Sequence, residues 1–396
     1  MKVLSQDSLA QLILRTEYCS YHARHVDYYH CDAVNLWRDF FRPDQLELLL
    51  GLPEGGTRKL IDNESISYDP SWRLRVRRSQ WRPPQKPGHQ PQPRVGRWYP
   101  QGYLAGISSI YPQTLQPMRV VSVTEDQLEV DCNHPLADIP LTIQVRVESI
   151  ASRDKERGGR CRDWLEEALA DGPGMQLLRE SFHPDYCEPD RFARINSQAD
   201  ARFYATPRMV EHIDSQARAH LLRCTGELLS GGIRILDLMS SVQSHLPGGP
   251  ATVVGLGMNP EELQANGRLQ QWLIHDLNGD PLLPFAAENF DAVCCHLSFE
   301  YLVSPDTVMA EVARVLRPDG LCVVSFSNRW FPEKVTRIWQ QLHEFERLGY
   351  VLEIMQTCFH ELTSTTFRNW PRASDDPHYF EKKVSDPLYL VTGRKK

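Results

Sequence analysis

The chain has 396 residues, of which 41% are hydrophobic and 24% are charged, with a net charge of -7. This composition is that of an ordinary globular protein of two or three domains, and the acidic balance argues against a nucleic-acid binder. No run approaches the roughly 18 apolar residues of a membrane span, and the N-terminus has no apolar signal-peptide core. The ten cysteines form no C-x-x-C pair, so we expect a cytoplasmic protein with reduced thiols.

Residues 1–50 are predicted to form an N-terminal helical segment. The apolar run at 9–14 begins one helical face, as the spacing of its leucines indicates. The following stretch, 18–32, is rich in His, Cys and Asp, and His22 and His25 would share a helix face. Such side chains can bind zinc, but no second ligand pair supports a metal. We therefore predict a polar helix surface and no metal site.

Residues 51–150 have the alternating pattern of β-strands. Apolar and basic side chains alternate over 72–78, and the apolar residues of 141–150 alternate with polar ones, which places them on opposite faces of a sheet. The segment 118–131 contains two strand-like runs around a short polar turn and predicts a hairpin. The stretch 83–93 is rich in Pro, Gln and His and predicts a loop.

The same region contains motifs of a known family. The sequences VDCNHPLA at 130–137, YDP at 68–70 and RSQW at 78–81 resemble segments of SlyD-like FKBP-type prolyl isomerases. The resemblance covers roughly residues 45–150 and implies a small β-rich FKBP-like domain at 51–150. The opening strands of that family are not recognisable here, and Ile143 stands where its last strand has an aromatic residue. The resemblance therefore favours binding or scaffolding over isomerase activity.

Residues 151–202 are predicted to be a linker or a lid. The run 153–162 is heavily charged and contains two adjacent glycines, and its arginines surround Cys161, where nearby positive charge lowers a thiol pKa. We expect Arg160 and Cys161 to face a substrate, with Trp164 as an anchor on the following domain. The alternative is a solvated tether.

Residues 203–396 alternate strand-like and helical patterns. A helix is predicted over 203–230 and another over 308–316, and the turn residues RPDG at 317–320 precede the last apolar strand. The strand-like runs are at 232–241, 251–259, 272–276, 290–297 and 321–326. Alternation of this kind predicts a doubly wound α/β sheet, in which ligands bind at the carboxyl ends of the strands.

Two motifs in this half make the prediction more specific. LPF at 283–285 followed by NFD at 289–291, and VLRPDG at 315–320, resemble motifs of the class I S-adenosylmethionine (AdoMet)-dependent methyltransferases. The resemblance implies a seven-stranded Rossmann-like domain at 203–396 with AdoMet as its cofactor. The first loop departs from the D-x-G-x-G-x-G pattern of the family, since Met239, Ser241 and Gln243 occupy the glycine positions. Gly257 stands where the family has a ribose-binding carboxylate.

The resemblance and the strand ends together define the expected site. The residues expected to bind the cofactor are Asp237, Met239, Ser240, Ser241, Asn259, Asp276, Leu277 and Leu297. The catalytic candidates, which lie beyond strand ends, are His245, His296 and Glu300. The residues expected to contact substrate are Tyr204, Arg208, Asn328 and Arg329, with Arg160 and Cys161 from the linker.

Two classes of function remain open from the sequence. The first is an AdoMet-dependent methyltransferase acting on a small-molecule or peptide acceptor that the FKBP-like domain presents. The second is a non-catalytic binding protein with both folds, or an FKBP-type chaperone or isomerase. The Asn/Asp-Pro-Pro-Tyr signature of base-methylating enzymes is absent at 295–299, and neither nucleic acid nor membrane is expected as a partner.

Overall fold

The computed structural model describes residues 2–84, 91–152, 159–179 and 183–396. Part of the predicted loop at 83–93, and the charged residues 153–158 of the predicted lid, lie outside the described residues. The chain divides into two compact units. The first comprises residues 1–21, 27–189 and 341–350, and the second comprises 22–26, 190–340 and 351–396. No helix in the described part of the chain has the length and apolarity needed to cross a membrane.

The first unit is mostly β-structure. Its strands and helices are β1 (Ser8–Cys19), β2 (Ala23–Asn35), α1 (Pro43–Leu49), β3 (Thr57–Glu64), β4 (Arg73–Arg77), β5 (Trp98–Pro100), β6 (Pro117–Val123), β7 (Gln127–Asp131), β8 (Leu141–Ser152) and α2 (Trp164–Leu169). They form two sheets with the strand orders β2-β1-β8-β3 and β4-β7-β6-β5. The predicted hairpin is confirmed as β6 and β7, which pair antiparallel.

The prediction of helices at 1–50 is wrong, because most of this segment forms β1 and β2. Alternate residues of β1 are buried, but the contiguous run Leu12-Ile13-Leu14 obscures that alternation in the sequence. β1 pairs antiparallel with β8 along almost its whole length, so residues before and after position 50 belong to one sheet. His22 precedes β2 and His25 lies within it, so they do not share a helix face.

Each sheet of the first unit has its own apolar core. The larger core includes Leu12 and Leu14 of β1 and Val145 of β8. Trp164 belongs to this core and its indole N–H donates to Asp39 over 2.7 Å. The tryptophan therefore anchors residues 159–169 within the first unit, and the prediction that it packs on the following domain is wrong. The buried Trp164 holds α2 against the core of the first unit, although the charged residues near the helix favour solvent.

A buried ion pair also stabilises the first unit. Arg97 Nε lies 2.5 Å from Glu346 Oε1, and both side chains are at most 2% exposed. The backbone N–H of Trp98 donates to the same carboxylate oxygen over 3.1 Å. Since a buried charge is costly unless it is paired and hydrogen-bonded, the pair holds residues 344–350 to the strand that begins at Trp98.

The second unit alternates strands and helices. Its elements are α3 (Asp200–Phe203), α4 (Ser215–Leu228), β9 (Arg234–Leu238), β10 (Thr252–Gly257), α5 (Pro260–Ala265), β11 (Gln271–Ile274), β12 (Phe290–His296), α6 (Pro305–Val315), β13 (Leu316–Phe326), α7 (Arg337–Gln341), α8 (Glu344–Met355), β14 (Phe359–Arg368) and β15 (Leu388–Lys395). α7 and α8 contain residues of both units.

The strands of the second unit run in the order β11-β10-β9-β12-β13-β15-β14. The first five are parallel, and β15 is antiparallel to both of its neighbours. When the strands of this unit are renumbered from β9 as strand 1, the order is 3-2-1-4-5-7-6. Successive strands are added on one side of β9 up to β11 and on the other side from β12 onwards, so the strand order reverses between β9 and β12. The doubly wound seven-stranded sheet predicted from the sequence is therefore confirmed, and the reversal marks the expected ligand crevice.

Two local predictions in this unit need correction. The helix expected over 203–230 begins only at Ser215, because the side chain of Asp214 accepts from the N–H of Ala217 and caps it. Residues 204–213 are irregular. The turn expected at 317–320 is a bulge inside β13, where the pairing with β12 shifts register and Asp319 has a φ of 60°. The helix predicted over 308–316 is confirmed as α6.

Candidate functional site

A cavity of about 250 Å³ lies at the carboxyl edge of the parallel strands of the second unit. Its volume is close to the lower end of the range for small-molecule sites. The predicted site residues that line it are Tyr204, Arg208, Asp237, Met239, Ser240, Ser241, His245, Asn259, Asp276, Leu277, His296, Leu297 and Arg329. The fold brings these residues together because parallel strands place their carboxyl ends at one edge.

Asp237 lies near the end of β9 and is buried. The hydroxyl of Ser240 donates to its carboxylate over 2.5 Å. Burial raises the pKa of Asp237 to about 7, while hydrogen bonds from Ser240 and Ser244 act in the opposite direction. A carboxyl group that titrates near neutrality can present either an acceptor or an O–H donor to a ligand.

The loop after β9 differs in two ways from a glycine-rich loop. Met239 has a φ of 57°, a left-handed conformation that favours glycine, although methionine occupies the position. Residues 239–251 contain no helix, so β9 and β10 are joined by irregular chain. The site consequently has no helix N-terminus at this loop, which is where many phosphate- and carboxylate-binding loops have one.

The backbone around the end of β10 leaves no space for a side chain at Gly257. The N–H of Ser240 donates to the carbonyl of Leu256 over 2.8 Å, which holds the first loop against β10. A Cβ added at Gly257 would lie 2.2 Å from the carbonyl oxygen of Ser240 and 3.0 Å from a methyl group of Leu263. Any side chain at 257 would therefore collide with backbone that cannot simply rotate away.

Asn259, a predicted cofactor ligand, is instead engaged by the protein. Its side-chain oxygen accepts from the N–H groups of Glu261 and Glu262 and caps α5. Its amide nitrogen donates to the carbonyls of Tyr204 and Ala205, at 2.9 and 3.3 Å. These four contacts occupy the amide, so its contribution is to hold the segment beginning at Tyr204 over the end of β10.

Asp276 lies beyond β11, the edge strand of the sheet. One of its carboxylate oxygens accepts from the N–H groups of Asn278 and Gly279, at 3.0 and 3.2 Å. The next residue, Leu277, is buried beside it. A carboxylate next to an apolar side chain suits a flat heterocycle with an exocyclic amine, since the amine can donate while the ring packs on the leucine.

Two histidines place buried ring nitrogens at the cavity. His296 Nδ1 lies 2.7 Å from the hydroxyl of Ser325 on β13. Its Nε2, and the Nδ1 of His245, have no hydrogen-bond partner within the described part of the chain. Burial lowers the pKa of His296 to about 3 and that of His245 to about 4. Both rings are therefore neutral at physiological pH and suit hydrogen bonding to a ligand better than accepting a proton.

Arg208 lies over aromatic rings. Its guanidinium carbon is 4.3 Å from the ring centre of Phe203 and 5.1 Å from that of Phe331, distances typical of cation–π contacts. Burial lowers the pKa of His212; the charge of Glu262 acts in the opposite direction, and the charges of Arg329 and Arg208 lower the pKa further. This side of the cavity therefore carries both acidic and basic side chains.

Arg329 is held by a carboxylate behind it. Its guanidinium donates to Asp386 over 3.1 Å, and Asp386 also accepts from Arg372 at 2.7 Å. The backbone N–H of Asp386 donates to Asp214, the cap of α4. This network ties Arg329 to the segment before β15, so its position depends on chain more than fifty residues away.

Four predicted residues are not among the described residues that line the cavity. Glu300 is buried in the short 3-10 turn after β12, and Asn328 is exposed. Arg160 and Cys161 are exposed residues of the first unit, so their predicted role at the substrate stays a prediction. Within the described ranges, no group of three or more His, Cys, Asp or Glu side chains could hold a metal ion.

The cavity also has lining residues that were not predicted, including Asp200, His212 and Glu262. Asp200 is buried and lies 2.7 Å from Arg194 and 2.8 Å from Lys334. Glu262 could have been found from the sequence, since it falls in the first helical turn after a strand end. Asp200 and His212 have no such signal, because they belong to short or irregular segments.

Residues 239–324 match the family model described as a methyltransferase domain. No curated protein sequence matches the chain. The matched solved structures include a complex of the Trm112 methyltransferase activator with a putative methyltransferase from Haloferax volcanii, at 19% identity over 45% of this chain and 88% of that chain, with a TM-score of 0.33. A SAM-dependent methyltransferase from Thermotoga maritima, described as a possible histamine N-methyltransferase, matches at 13% identity over 46% of this chain and 89% of that chain, with a TM-score of 0.33.

The strand order of the second unit is that of a Rossmann-like sheet, and the segment that matches a methyltransferase domain lies within this unit. The matched segment begins at Met239 and ends in β13, so it includes most of the strand ends that line the cavity. It includes none of residues 45–150, and the FKBP-type resemblance there stays a prediction.

Proposed function

We propose that the second unit binds AdoMet in the strand-end cavity and transfers its methyl group to an acceptor. The observation that carries the proposal is the cavity itself, which lies at the topological reversal of a 3-2-1-4-5-7-6 sheet and is lined in part by the segment that matches a methyltransferase domain. Bound AdoMet would supply an electrophilic methyl group on sulfur.

The residues present fit that cofactor. Asp276 and Leu277 offer a carboxylate and an apolar surface to an adenine ring. Asp237 and the neutral Ser240 offer hydrogen-bonding groups at the neighbouring strand end. Two histidines that line the cavity, His245 and His296, each have a buried ring nitrogen without a hydrogen-bond partner in the described part of the chain. These are the polar groups that a buried site leaves for a ligand.

The chain contributes positioning more than acid–base chemistry. Methyl transfer requires an acceptor nucleophile in line with the methyl group, in a site that excludes water. His296 has its ring fixed by Ser325, so its Nε2 can hold an acceptor by one directed hydrogen bond. Because its pKa is lowered to about 3, the acceptor proton leaves to solvent or to another base.

The first test is the affinity of the full chain for S-adenosylhomocysteine by titration calorimetry. Asp276→Asn should weaken binding by about 1 to 3 kcal/mol, the cost of losing a hydrogen bond to a charged group. The matched control is Asp280→Asn, an exposed carboxylate four residues on that does not line the cavity. An affinity that is unchanged in Asp276→Asn contradicts the assignment of the adenine end.

A second measurement separates catalysis from binding. His296→Gln should retain S-adenosylhomocysteine affinity and lose methyl transfer, because the ring contacts the acceptor side. If the wild-type chain binds no S-adenosylhomocysteine, the non-catalytic alternative replaces the proposal. That alternative is supported by the missing glycines of the first loop and by the absence of an acid at Gly257.

For the first unit, we propose substrate binding or scaffolding in place of prolyl isomerisation. The support is the FKBP-type resemblance of residues 130–137, without the opening strands of that family. The full chain should show little isomerase activity towards proline-containing peptides. A rate comparable to that of working FKBP enzymes would contradict the proposal and favour the chaperone or isomerase alternative.

A further inference from the structure

The carboxylate of Glu262 is an unassigned feature of the cavity. Glu262 lies in the first turn of α5, is 7% exposed and lines the cavity. One carboxylate oxygen accepts from the N–H of Arg208 over 2.7 Å, and the other accepts from the hydroxyl of Ser241 over 2.6 Å. A carboxylate has about four acceptor positions, so lone pairs remain for a ligand.

Glu262 also has no cationic partner within the described part of the chain. Asp200, another acid of the cavity, pairs with Arg194 and Lys334. Within the same described residues Glu262 forms no ion pair, and its two contacts are with a backbone N–H and a hydroxyl. A buried carboxylate that receives neutral donors suits further neutral donors such as the hydroxyl groups of a sugar.

Glu262 is a carboxylate that lines the cavity close to the carboxyl end of β10. In doubly wound sheets, an acidic residue about twenty residues beyond the first loop hydrogen-bonds the ribose of a nucleotide ligand. The residue at the end of β10 is Gly257, where a side chain would meet the carbonyl oxygen of Ser240 at 2.2 Å. Glu262 reaches the same cavity from the following helix and is not subject to that collision.

We propose that Glu262 binds the vicinal hydroxyls of the ribose of a nucleoside ligand, in place of an acid at the strand end. The inference rests on the proposed function, since it assigns the ribose end of the same site. Both ribose hydroxyls donate to the carboxylate, while the hydroxyl of Ser241 and the N–H of Arg208 each hold one of its oxygens.

The test compares adenosine with 2′,3′-dideoxyadenosine, which differ only in the two hydroxyls. Titration calorimetry on the full chain should show that the wild type prefers adenosine by roughly 10-fold or more, as expected for hydrogen bonds to a charged group. Glu262→Gln keeps the shape and an acceptor oxygen, and should reduce the preference several-fold, because a neutral hydrogen bond contributes less than one to a charged group.

The matched control is Glu261→Gln, the same change at the neighbouring glutamate of α5, which is exposed and does not line the cavity. We expect the control to retain the preference. If the control abolishes the preference as well, the effect does not come from the carboxylate of Glu262, and the inference is overturned. Thermal unfolding reports whether each variant is folded. If Glu262→Gln does not fold, Glu262→Asp serves in its place, because withdrawing the carboxylate by one methylene should also remove the preference.

The outcomes distinguish this inference from the proposed function. Equal affinities for the two nucleosides in the wild type, or a preference that persists in Glu262→Gln, overturn the role of Glu262 and leave nucleoside binding intact. If the wild type binds S-adenosylhomocysteine but neither nucleoside, this inference alone is overturned. If it binds none of the three ligands, the proposed function is overturned and this inference with it.

Discussion

Replacing Gly257 by alanine tests the close approach that shapes the cavity. The added Cβ would lie 2.2 Å from the carbonyl oxygen of Ser240 and 3.0 Å from Leu263 Cδ2. The first distance is far inside van der Waals contact and involves backbone, so relief requires the loop or the end of β10 to move. Overpacking of this kind costs about 1 to 3 kcal/mol, and a rigid carbonyl as the obstacle favours the upper half of that range.

The expected change is large enough to measure on the full chain. For domains of about 150 to 250 residues, 1 kcal/mol corresponds to a Tm change of about 2 to 4 °C. Gly257→Ala should therefore lower the Tm of the second unit by about 4 to 12 °C. Amide exchange of peptides covering 234–258 should accelerate in the variant, because the hydrogen bond from Ser240 to Leu256 is strained.

The control for this prediction is Gly267→Ala. Gly267 follows α5 and has no neighbouring atom within 4 Å of an added Cβ, so the methyl group meets open space. If Gly257→Ala and Gly267→Ala change the Tm equally, the close approach of the Ser240 carbonyl is refuted. The explanation for the absent strand-end acid would then have to be abandoned as well.

Three further predictions concern single side chains. Glu346→Leu should destabilise the first unit by about 3 to 5 kcal/mol in urea unfolding, because it leaves the buried Arg97 unpaired. Asp237→Asn should flatten the pH dependence of stability. The pKa of Asp237 is raised from 3.8 to about 7 in the folded state, so the wild type loses stability as pH rises through that window; parallel curves for the two proteins would contradict this. Met239→Gly should change the Tm little and Met239→Val should lower it, because a β-branched residue tolerates a φ of 57° poorly; equal effects would exclude backbone strain.

The sequence by itself determined the strands of the second unit and the residues at their ends. Each strand is a short apolar run whose carboxyl end is marked by a polar residue, as at Asp237 and Asp276, and this signal is local. Once the strands are known to be parallel, their ends must meet at one edge. The same local logic failed at 9–14, because the contiguous apolar run of β1 fits a helix as well as a strand whose partner, β8, lies more than a hundred residues away.

Only the tertiary structure decided how the cavity is built from those ends. The sequence shows a glycine at 257, but the reason for it is the carbonyl of Ser240, which a different loop places against β10. The sequence likewise shows Asn259 after a strand end. In the fold its side-chain amide caps α5 and hydrogen-bonds the carbonyl of Tyr204, while Glu262 lines the cavity. Close approaches and hydrogen-bond partners of this kind depend on segments distant in the chain, and no local pattern encodes them.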